Sequence, residues 1–223
     1  MNFDKCKVFT PSNDNIMIEG ERLENVDDFV YLGSSVPDTI KDVERRIALA
    51  LSAFGRLRKS VWSNRDILLR LKVRLYRALI LPIATYAAET WALTVTDEKK
   101  LLVFEMQCLY SILSVSRLNR IKNEEIRRST ASEKTILEII RDKRLKWFGH
   151  ACRKTTDSWV YQTYKHDFPH PKPRGRPPKR WIDLIKDDTG LPILTAERNT
   201  QERSRWRHNR HRLRARGRHD LSS

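Results

Sequence analysis

Long apolar runs are missing from this 223-residue sequence, and cysteine and glycine are scarce. No stretch approaches the roughly 18 consecutive apolar residues that a transmembrane helix needs. The first residues, MNFDKCKVF, lack the apolar segment of a secretory signal, so none is expected. The three cysteines are too few and too widely spaced for a disulfide framework, which fits a reducing compartment. We therefore expect an intracellular protein, nuclear or cytoplasmic.

Signatures of catalysis and cofactor binding are also missing. The seven glycines form no phosphate-binding loop, and no Ser/His/Asp or Cys/His combination has motif context. A His-x-Cys pair at 150–152 and a His-x3-His pair at 166–170 match no zinc-finger spacing. The adjacent carboxylates Asp27-Asp28 and Asp187-Asp188 are predicted to be solvated residues of a turn and a helix end. The sequence thus predicts no catalytic residue, no metal site and no cofactor.

Basic residues, by contrast, are abundant: 44 Lys and Arg face 28 Asp and Glu, for a net charge of +16. The net charge is −6 over residues 1–44, +13 over 45–171 and +9 over 172–223. Because 39% of the residues are hydrophobic and six are tryptophan, the chain is not disordered throughout. A basic folded chain favours nucleic acid as its partner, with an anionic membrane surface as the weaker alternative. We predict RNA or DNA, and no membrane.

The residue pattern predicts a mainly α fold in four regions. Residues 1–37 form a β region with strand-like runs at 7–9, 15–18 and 29–32, and residues 38–154 form a helical bundle. Residues 155–180 are a basic linker rich in proline and glycine, and residues 181–223 are a short helix and an Arg-rich tail.

Apolar residues at helical spacing predict four main helices in the bundle, near 40–61, 63–86, 97–113 and 133–153, with a helical turn at 123–128. The second helix is apolar over most of its circumference, so we expect it to be central. Pro82 should kink or break it. In the last helix, Trp147 is expected to face inward with Ile136 and Ile140.

Basic side chains concentrate at four places that we predict to bind nucleic acid. They are Arg70, Arg74 and Arg77 on the second helix; Lys143 and Lys146 on the last; Arg174, Arg176, Lys179 and Arg180 in the linker; and Arg203, Arg205, Arg207, Arg210 and Arg212 in the tail. The first group also fits the solvated face of a bundle helix.

The linker contains Pro173-Arg174-Gly175-Arg176-Pro177, the core of an AT-hook. Glycine and proline keep such a segment flat and extended, so that both arginines can lie in the narrow, strongly negative minor groove of A·T sequences. The alternative is a stiff linker that touches phosphates loosely.

The tail segment Arg203–Arg218 has eight arginines and no acidic residue, which predicts nonspecific phosphate binding. Within it, two interpretations of Trp206 stay open. It could stack on a base, or it could dock on the helical bundle.

Seven blocks of residues follow one another in a recognisable order. They are Val26-x-x-Phe29-x-Tyr31-Leu32-Gly33-Ser34; Tyr86-x-x-Glu89-Thr90-Trp91-x-Leu93-Thr94; Phe104-Glu105-Met106-x-Cys108-Leu109-x-x-Ile112-Leu113; Asn123-Glu124-Glu125-Ile126-Arg127; Arg144-Leu145-Lys146-Trp147-Phe148-Gly149-His150; Arg174-Gly175-Arg176-Pro177-Pro178-Lys179-x-Trp181-x-Asp183; and Glu202-Arg203-x-x-Trp206-Arg207. Together they resemble the C-terminal, post-palm region of LINE-type (non-LTR) retrotransposon endonuclease–reverse transcriptases. One departure is Ala87, where the family has glycine; alanine still fits a packed helix end there.

The resemblance implies a thumb-like helical bundle that follows a template–primer duplex, and a basic C-terminal part that holds template RNA or target DNA. It also implies that Tyr31, Leu32 and Gly33 correspond to a primer grip. The family's metal-binding Asp-Asp hairpin lies upstream of that strand and is not found here, so this chain alone is predicted to be inactive as an RNA-directed DNA polymerase. Two alternatives remain: a host-recruited DNA- or chromatin-binding module using the AT-hook-like segment, and an active polymerase if upstream sequence is missing.

Overall fold

The computed structural model describes residues 7–8, 16–18, 20–26, 29–31, 34–36, 39–132, 134–165 and 179–216. Helices dominate and short strands precede them, which confirms the predicted mainly α fold. Strand β1 (Lys7–Val8) pairs in parallel with β4 (Glu24–Asn25), whereas β2 (Met17–Ile18) and β3 (Glu21–Arg22), and then β5 (Phe29–Tyr31) and β6 (Ser34–Val36), pair antiparallel. The predicted strand-like runs coincide with β1, β2 and β5. Strands β3, β4 and β6 were not predicted, because they lack the runs of β-branched and aromatic residues that marked the other three.

Helix α1 spans Thr39–Arg56 and is followed by a π-helical turn, Arg58–Trp62. The turn brings Trp62 back onto α1, where its indole stacks on Phe54 with ring centroids 4.6 Å apart. The indole N–H also donates to the Phe54 carbonyl at 2.7 Å. The predicted helix at 40–61 is therefore one α-helix closed by a π turn.

The second helix begins later than predicted: α2 spans Leu69–Leu75. Ahead of it, the side-chain oxygen of Asn64 accepts a hydrogen bond from the backbone N–H of Asp66 at 2.8 Å. Such a side-chain bond offers the backbone an alternative to helix, which explains the irregular stretch where a helix was expected.

Pro82 does not break the chain's helical course. A π-helical turn, Tyr76–Ile80, continues directly from α2, and α3 (Leu81–Ala84) continues from that turn. Pro82 occupies the first turn of α3, directly after the π-helical turn. The widened π turn accommodates the proline without ending the helix.

The expectation that this second helix is central holds for only one of its faces. Val73, Tyr76 and Ile80 are buried in the core. The opposite face exposes Leu68, Leu71 and Leu79, whose exposed fractions are 60%, 45% and 46%. Apolar character around the whole circumference therefore did not indicate burial around the whole circumference.

Two capping boxes fix the starts of the long helices α4 (Val95–Leu113) and α6 (Ile136–Cys152). The hydroxyl of Thr94 accepts from the Asp97 N–H, and the Asp97 carboxylate accepts from the Thr94 N–H. Thr135 and Glu138 form the same reciprocal pair. Both helices begin a few residues from the predicted starts. The short α5 (Asn123–Ser129) matches the predicted turn, and 3₁₀ turns lie at Ala88–Thr90 and Arg117–Asn119.

The main core lies between α1, the α2–α3 segment, α4 and the start of α6. Glu105 ties three helices together inside it: its carboxylate accepts from the Ile136 N–H at 2.8 Å and from the Arg127 guanidinium at 3.0 Å. Burial raises the pKa of Glu105, while these two partners act in the opposite direction. One buried carboxylate thus helps position α4, α5 and α6.

Four further helices follow: α7 (Trp159–Lys165), α8 (Trp181–Thr189), α9 (Ile193–Gln201) and α10 (Arg203–Arg216). Helix α7 falls inside the range that the sequence assigned to a linker. These helices share a second apolar cluster with the end of α6, made of Leu145, Phe148, Cys152, Ile185, Ala196 and Trp206. Within the described ranges, no helix is both long and apolar enough to span a bilayer.

Candidate nucleic-acid interface

Trp206 docks on the bundle, which decides between its two open interpretations. Its side chain is buried, and its indole N–H donates to the Leu145 carbonyl at 3.0 Å. Gly149 makes this approach possible, because a Cβ at that position would lie 2.6 Å from Trp206 Cδ1. Gly149, which belongs to the block Arg144–His150, is therefore needed for α10 to pack closely on α6.

Further contacts show that α10 runs antiparallel to α6. Arg210, late in the described part of α10, forms an ion pair with Asp142 at 3.1 Å. Arg153, after the end of α6, donates to the Thr200 carbonyl at 2.8 Å, just before α10. The pKa of Arg153 is lowered by burial and then by the nearby charge of Arg203. The beginning of α10 therefore lies beside the end of α6.

This arrangement creates a surface that we call the α6–α10 face: the exposed side chains of Lys146, His150, Lys154, Arg203 and Arg207. Arg203 and Arg207 are four residues apart, so they lie on one side of α10. The face's lysines and arginines form no ion pair with any residue whose placement is described. Phosphate groups could therefore approach them without displacing a carboxylate of the described ranges.

The other predicted tail residues have different surroundings. Arg205 is exposed and lies two residues from both Arg203 and Arg207, so it points to another side of α10. Arg210 is half-buried in its pair with Asp142. Arg212 lies within α10, but its side chain is outside the described residues.

Lys143 and Lys146, predicted together as one of the four nucleic-acid-binding groups, have separate roles in the structure. The Lys143 ammonium donates to the carbonyl oxygen of Thr85 at 2.5 Å and to its hydroxyl at 3.0 Å. Burial lowers the pKa of Lys143. The contact ties α6 to the end of α3, which leaves Lys146 as the exposed lysine of the two.

The three predicted arginines of the second helix have surroundings of their own, which we call the second-helix row. Arg70 and Arg74 are exposed among the exposed leucines of that helix. Arg77 is exposed too, but its guanidinium donates to the Ala131 carbonyl. The second-helix row is therefore a mixed apolar and basic surface. Of its three arginines, Arg77 already binds the backbone at Ala131.

The AT-hook-like core, including Arg174 and Arg176, lies outside the described residues. Its two flanks are described and attach to the same aromatic ring: Tyr164 and Trp181 lie 5.8 and 6.3 Å from Phe148, between ring centroids. Tyr164 and Trp181, on the two sides of this core in the sequence, therefore pack in one cluster.

The two basic residues after this core both have acidic partners. Lys179 pairs with Asp187 at 2.5 Å, and the Arg180 side chain with Asp183 at 3.4 Å. Both pairs are largely exposed, so they cost little to exchange for phosphate contacts.

The predicted primer-grip residues are only partly described. Tyr31 lies in β5 and pairs with Ser34 of β6 across two intervening residues. Those two residues, Leu32 and Gly33, lie outside the described part of the chain, as does the pair Asp27-Asp28.

The expectation for Asp187-Asp188 is wrong for its second residue. Asp188 is largely buried between Arg144, at 2.8 Å, and Arg141, at 3.4 Å. Burial raises the pKa of Asp188, against the opposite effect of the two arginines. Sequence pattern missed this cluster because its partners lie more than forty residues earlier, on α6.

The tryptophans of the recognised blocks are mainly packing residues. The Trp91 indole donates to the Asp42 carboxylate at 2.8 Å, and the Trp181 indole to the Glu89 carbonyl at 2.8 Å. With Trp206, whose indole donates to α6, they connect α1, the 3₁₀ turn at Ala88–Thr90, α6, α8 and α10. Trp147 is the exception: it was expected to face inward, yet it is 36% exposed.

No group of three His, Cys, Asp or Glu side chains in the described ranges could hold a metal ion. Cys108 and Cys152 are free and buried. Burial raises the pKa of Cys108 to about 12 and that of Cys152 to about 11, so both thiols are protonated at neutral pH.

Comparison with known proteins gives one informative relative. Over 199 residues the chain is 23% identical to a Caenorhabditis elegans protein named "Putative uncharacterized transposon-derived protein", and the match covers 83% of this chain and 70% of the relative. No protein-family model and no solved structure matches at a significant level. The chain is thus related to a protein described as transposon-derived.

Proposed function

We propose that this chain is the nucleic-acid-binding, C-terminal part of a LINE-type reverse transcriptase, and that it supplies binding and no catalytic step. The α6–α10 face carries the proposal, because its lysines and arginines have no acidic partner among the described residues. The transposon-derived name of the C. elegans relative and the order of the seven blocks support the same origin.

Binding occurs through the sugar–phosphate backbone. Arg203 and Arg207 on α10, and Lys146 and Lys154 along α6, contact neighbouring phosphates and release their counterions. Trp206 fixes α10 against α6, so the two rows of cations keep a constant separation. Such contacts position a strand without reading its sequence.

A salt titration tests this function. Fluorescence anisotropy of a labelled 20-base-pair duplex, measured from 50 to 300 mM KCl, should give a dissociation constant near the micromolar range at low salt. About four phosphate contacts predict a slope of about −3 to −4 in a plot of log affinity against log salt. A flat slope, or no binding at 50 mM KCl, contradicts the proposal.

The non-catalytic part of the proposal has its own test. The purified chain, given an annealed RNA template, DNA primer, nucleotides and Mg²⁺, is expected to extend no primer. Template-dependent product would show that this chain carries polymerase chemistry and would overturn the binding-only assignment.

A further inference from the structure

An aromatic pair on α6 lies beside the α6–α10 face, and core packing does not explain it. Trp147 is 36% exposed, although the next residue, Phe148, is fully buried. The Trp147 indole stacks on the imidazole of His150, one turn later, with centroids 5.3 Å apart and an angle of 29° between the planes. The two rings therefore form one aromatic surface at the exterior of the helix.

The surroundings of this pair are basic. Lys146 and Lys154 are exposed on either side of it along the chain, and neither has an acidic partner in the described part of the molecule. Burial lowers the pKa of His150, and the charges of Lys154 and Arg153 lower it further. Both effects favour the uncharged imidazole, so the aromatic surface between the two cations adds little charge of its own.

We propose that Trp147 and His150 form a stacking site for an unpaired base of a single-stranded nucleic acid, with Lys146 and Lys154 at the flanking phosphates. An unpaired base offers a free π face, and stacking on exposed aromatic side chains is the usual way in which proteins hold it. A base within a duplex already stacks on its neighbours and offers no such face. The inference rests on the proposed function and adds the strand class that this site prefers.

Positive charge around the rings identifies the occupant. An apolar protein surface would gain contact with Trp147 but would have to desolvate both lysines without a partner. A nucleic-acid strand supplies a base for the rings and phosphates for the ammonium groups together. Charge complementarity therefore favours the strand.

The test compares three fluorescein-labelled ligands on the full chain: a 12-mer of thymidine, the same backbone with abasic sites in place of the bases, and a blunt 12-base-pair duplex. Trp147→Ala should weaken binding of the thymidine 12-mer by about tenfold, the usual size of one lost stacking contact. Its effect on the abasic strand and on the duplex should stay below about twofold. Trp147→Phe should keep most of the affinity, because a smaller ring still stacks.

Trp159 provides the matched control, since it is a tryptophan on α7 that is 82% exposed. Trp159→Ala should leave all three affinities within about twofold. Equal losses on the thymidine and abasic strands, or an effect of Trp159→Ala as large as that of Trp147→Ala, would overturn the stacking site. If Trp147→Ala changes nothing while the wild-type chain binds duplex with a steep salt dependence, the stacking site fails and the proposed function stands. No binding of any ligand by the wild-type chain overturns both.

Discussion

Individual small residues determine how closely the helices approach. Gly149 lets the Trp206 indole lie directly on α6, and Ala87 holds a left-handed backbone at φ 54°, where the resembled family has glycine. At both positions a Cβ atom is unfavourable: at 149 it would overlap the Trp206 indole, and at 87 it strains the left-handed backbone. The family resemblance identified both residues, but only the structure shows what each one does.

Gly149→Ala is expected to lower the free energy of unfolding by about 1–3 kcal/mol, because the new methyl group overlaps Trp206. Gly55→Ala is the matched control: a methyl group there would meet nothing within 4 Å, and alanine favours the helical position, so it should be neutral or stabilising. Urea unfolding gives both values. Trypsin should also cut α10 of the Gly149 variant sooner, and equal behaviour of the two variants would refute the role of Gly149.

Ala87→Gly should raise the free energy of unfolding by about 0.5–1 kcal/mol. A residue with a Cβ costs roughly 1–2 kcal/mol in left-handed backbone, and the greater flexibility of glycine offsets part of the gain. Ala48→Gly, at an exposed position within α1, should instead cost about 1 kcal/mol. Chemical denaturation compares the pair, and destabilisation by both would mean that Ala87 is not left-handed in solution.

At the scale of elements, buried polar contacts set the relative positions of the helices. Glu105 holds α5 and α6 to α4, and Asp188 of α8 holds α6 through Arg141 and Arg144. Burial raises the pKa of Asp188, and the attraction of its arginines opposes that shift. Such clusters add little net stability but are costly to break.

Asp188→Asn is expected to lower the free energy of unfolding by about 3 kcal/mol, because Arg144 would stay buried without its paired carboxylate. The adjacent Asp187→Asn removes an exposed pair with Lys179 and should cost less than about 1 kcal/mol. Urea titrations at pH 7 measure both. Similar losses for the two neighbours would contradict the burial of Asp188.

The sequence predicted the number and rough placement of the main bundle helices, because their apolar residues recur at helical spacing. It could not show that the Asn64 side chain delays α2, or that a π turn accommodates Pro82. Periodicity also predicted that Trp147 faces inward, whereas it is 36% exposed. The spacing of apolar residues does not show which side of α6 the other elements cover. The burial of Asp188 depends on partners distant in sequence, which local patterns do not contain.

For the candidate interface, the sequence supplied the list of basic residues but not which of them are available. The contacts of each side chain divide the basic residues into two groups. Lys143, Arg77 and Arg210 bind other parts of the fold. Arg203 and Arg207 are exposed and have no acidic partner among the described residues. Net charge therefore predicts the type of partner, and the folded contacts determine which side chains can meet it.

At the scale of the whole molecule, two apolar clusters share α6, and their cysteines report on native packing. Cys108 lies in the main core and Cys152 in the second cluster. Their pKa values, about 12 and about 11, exceed the value of about 8.5 for an unfolded thiol. Their contribution to stability is therefore full below about pH 8.5 and is lost as the pH rises towards 11–12.

At pH 8, iodoacetamide is expected to leave Cys108 and Cys152 unmodified in the native chain and to modify both in concentrated urea. Protonation and burial both slow the reaction in the folded state. Mass spectrometry of the tryptic peptides assigns each site. Rapid native modification of Cys152 alone would show that the second cluster opens independently of the main core.

Binding of nucleic acid through the α6–α10 face is tested most directly by the salt dependence of two double variants. Arg203→Gln/Arg207→Gln is compared with Lys99→Gln/Arg128→Gln, which removes two exposed charges from α4 and α5. The first should make the slope of log affinity against log salt shallower by about 2, and the second should leave it unchanged. Equal slopes for the two variants would show that the strand is held elsewhere on the molecule.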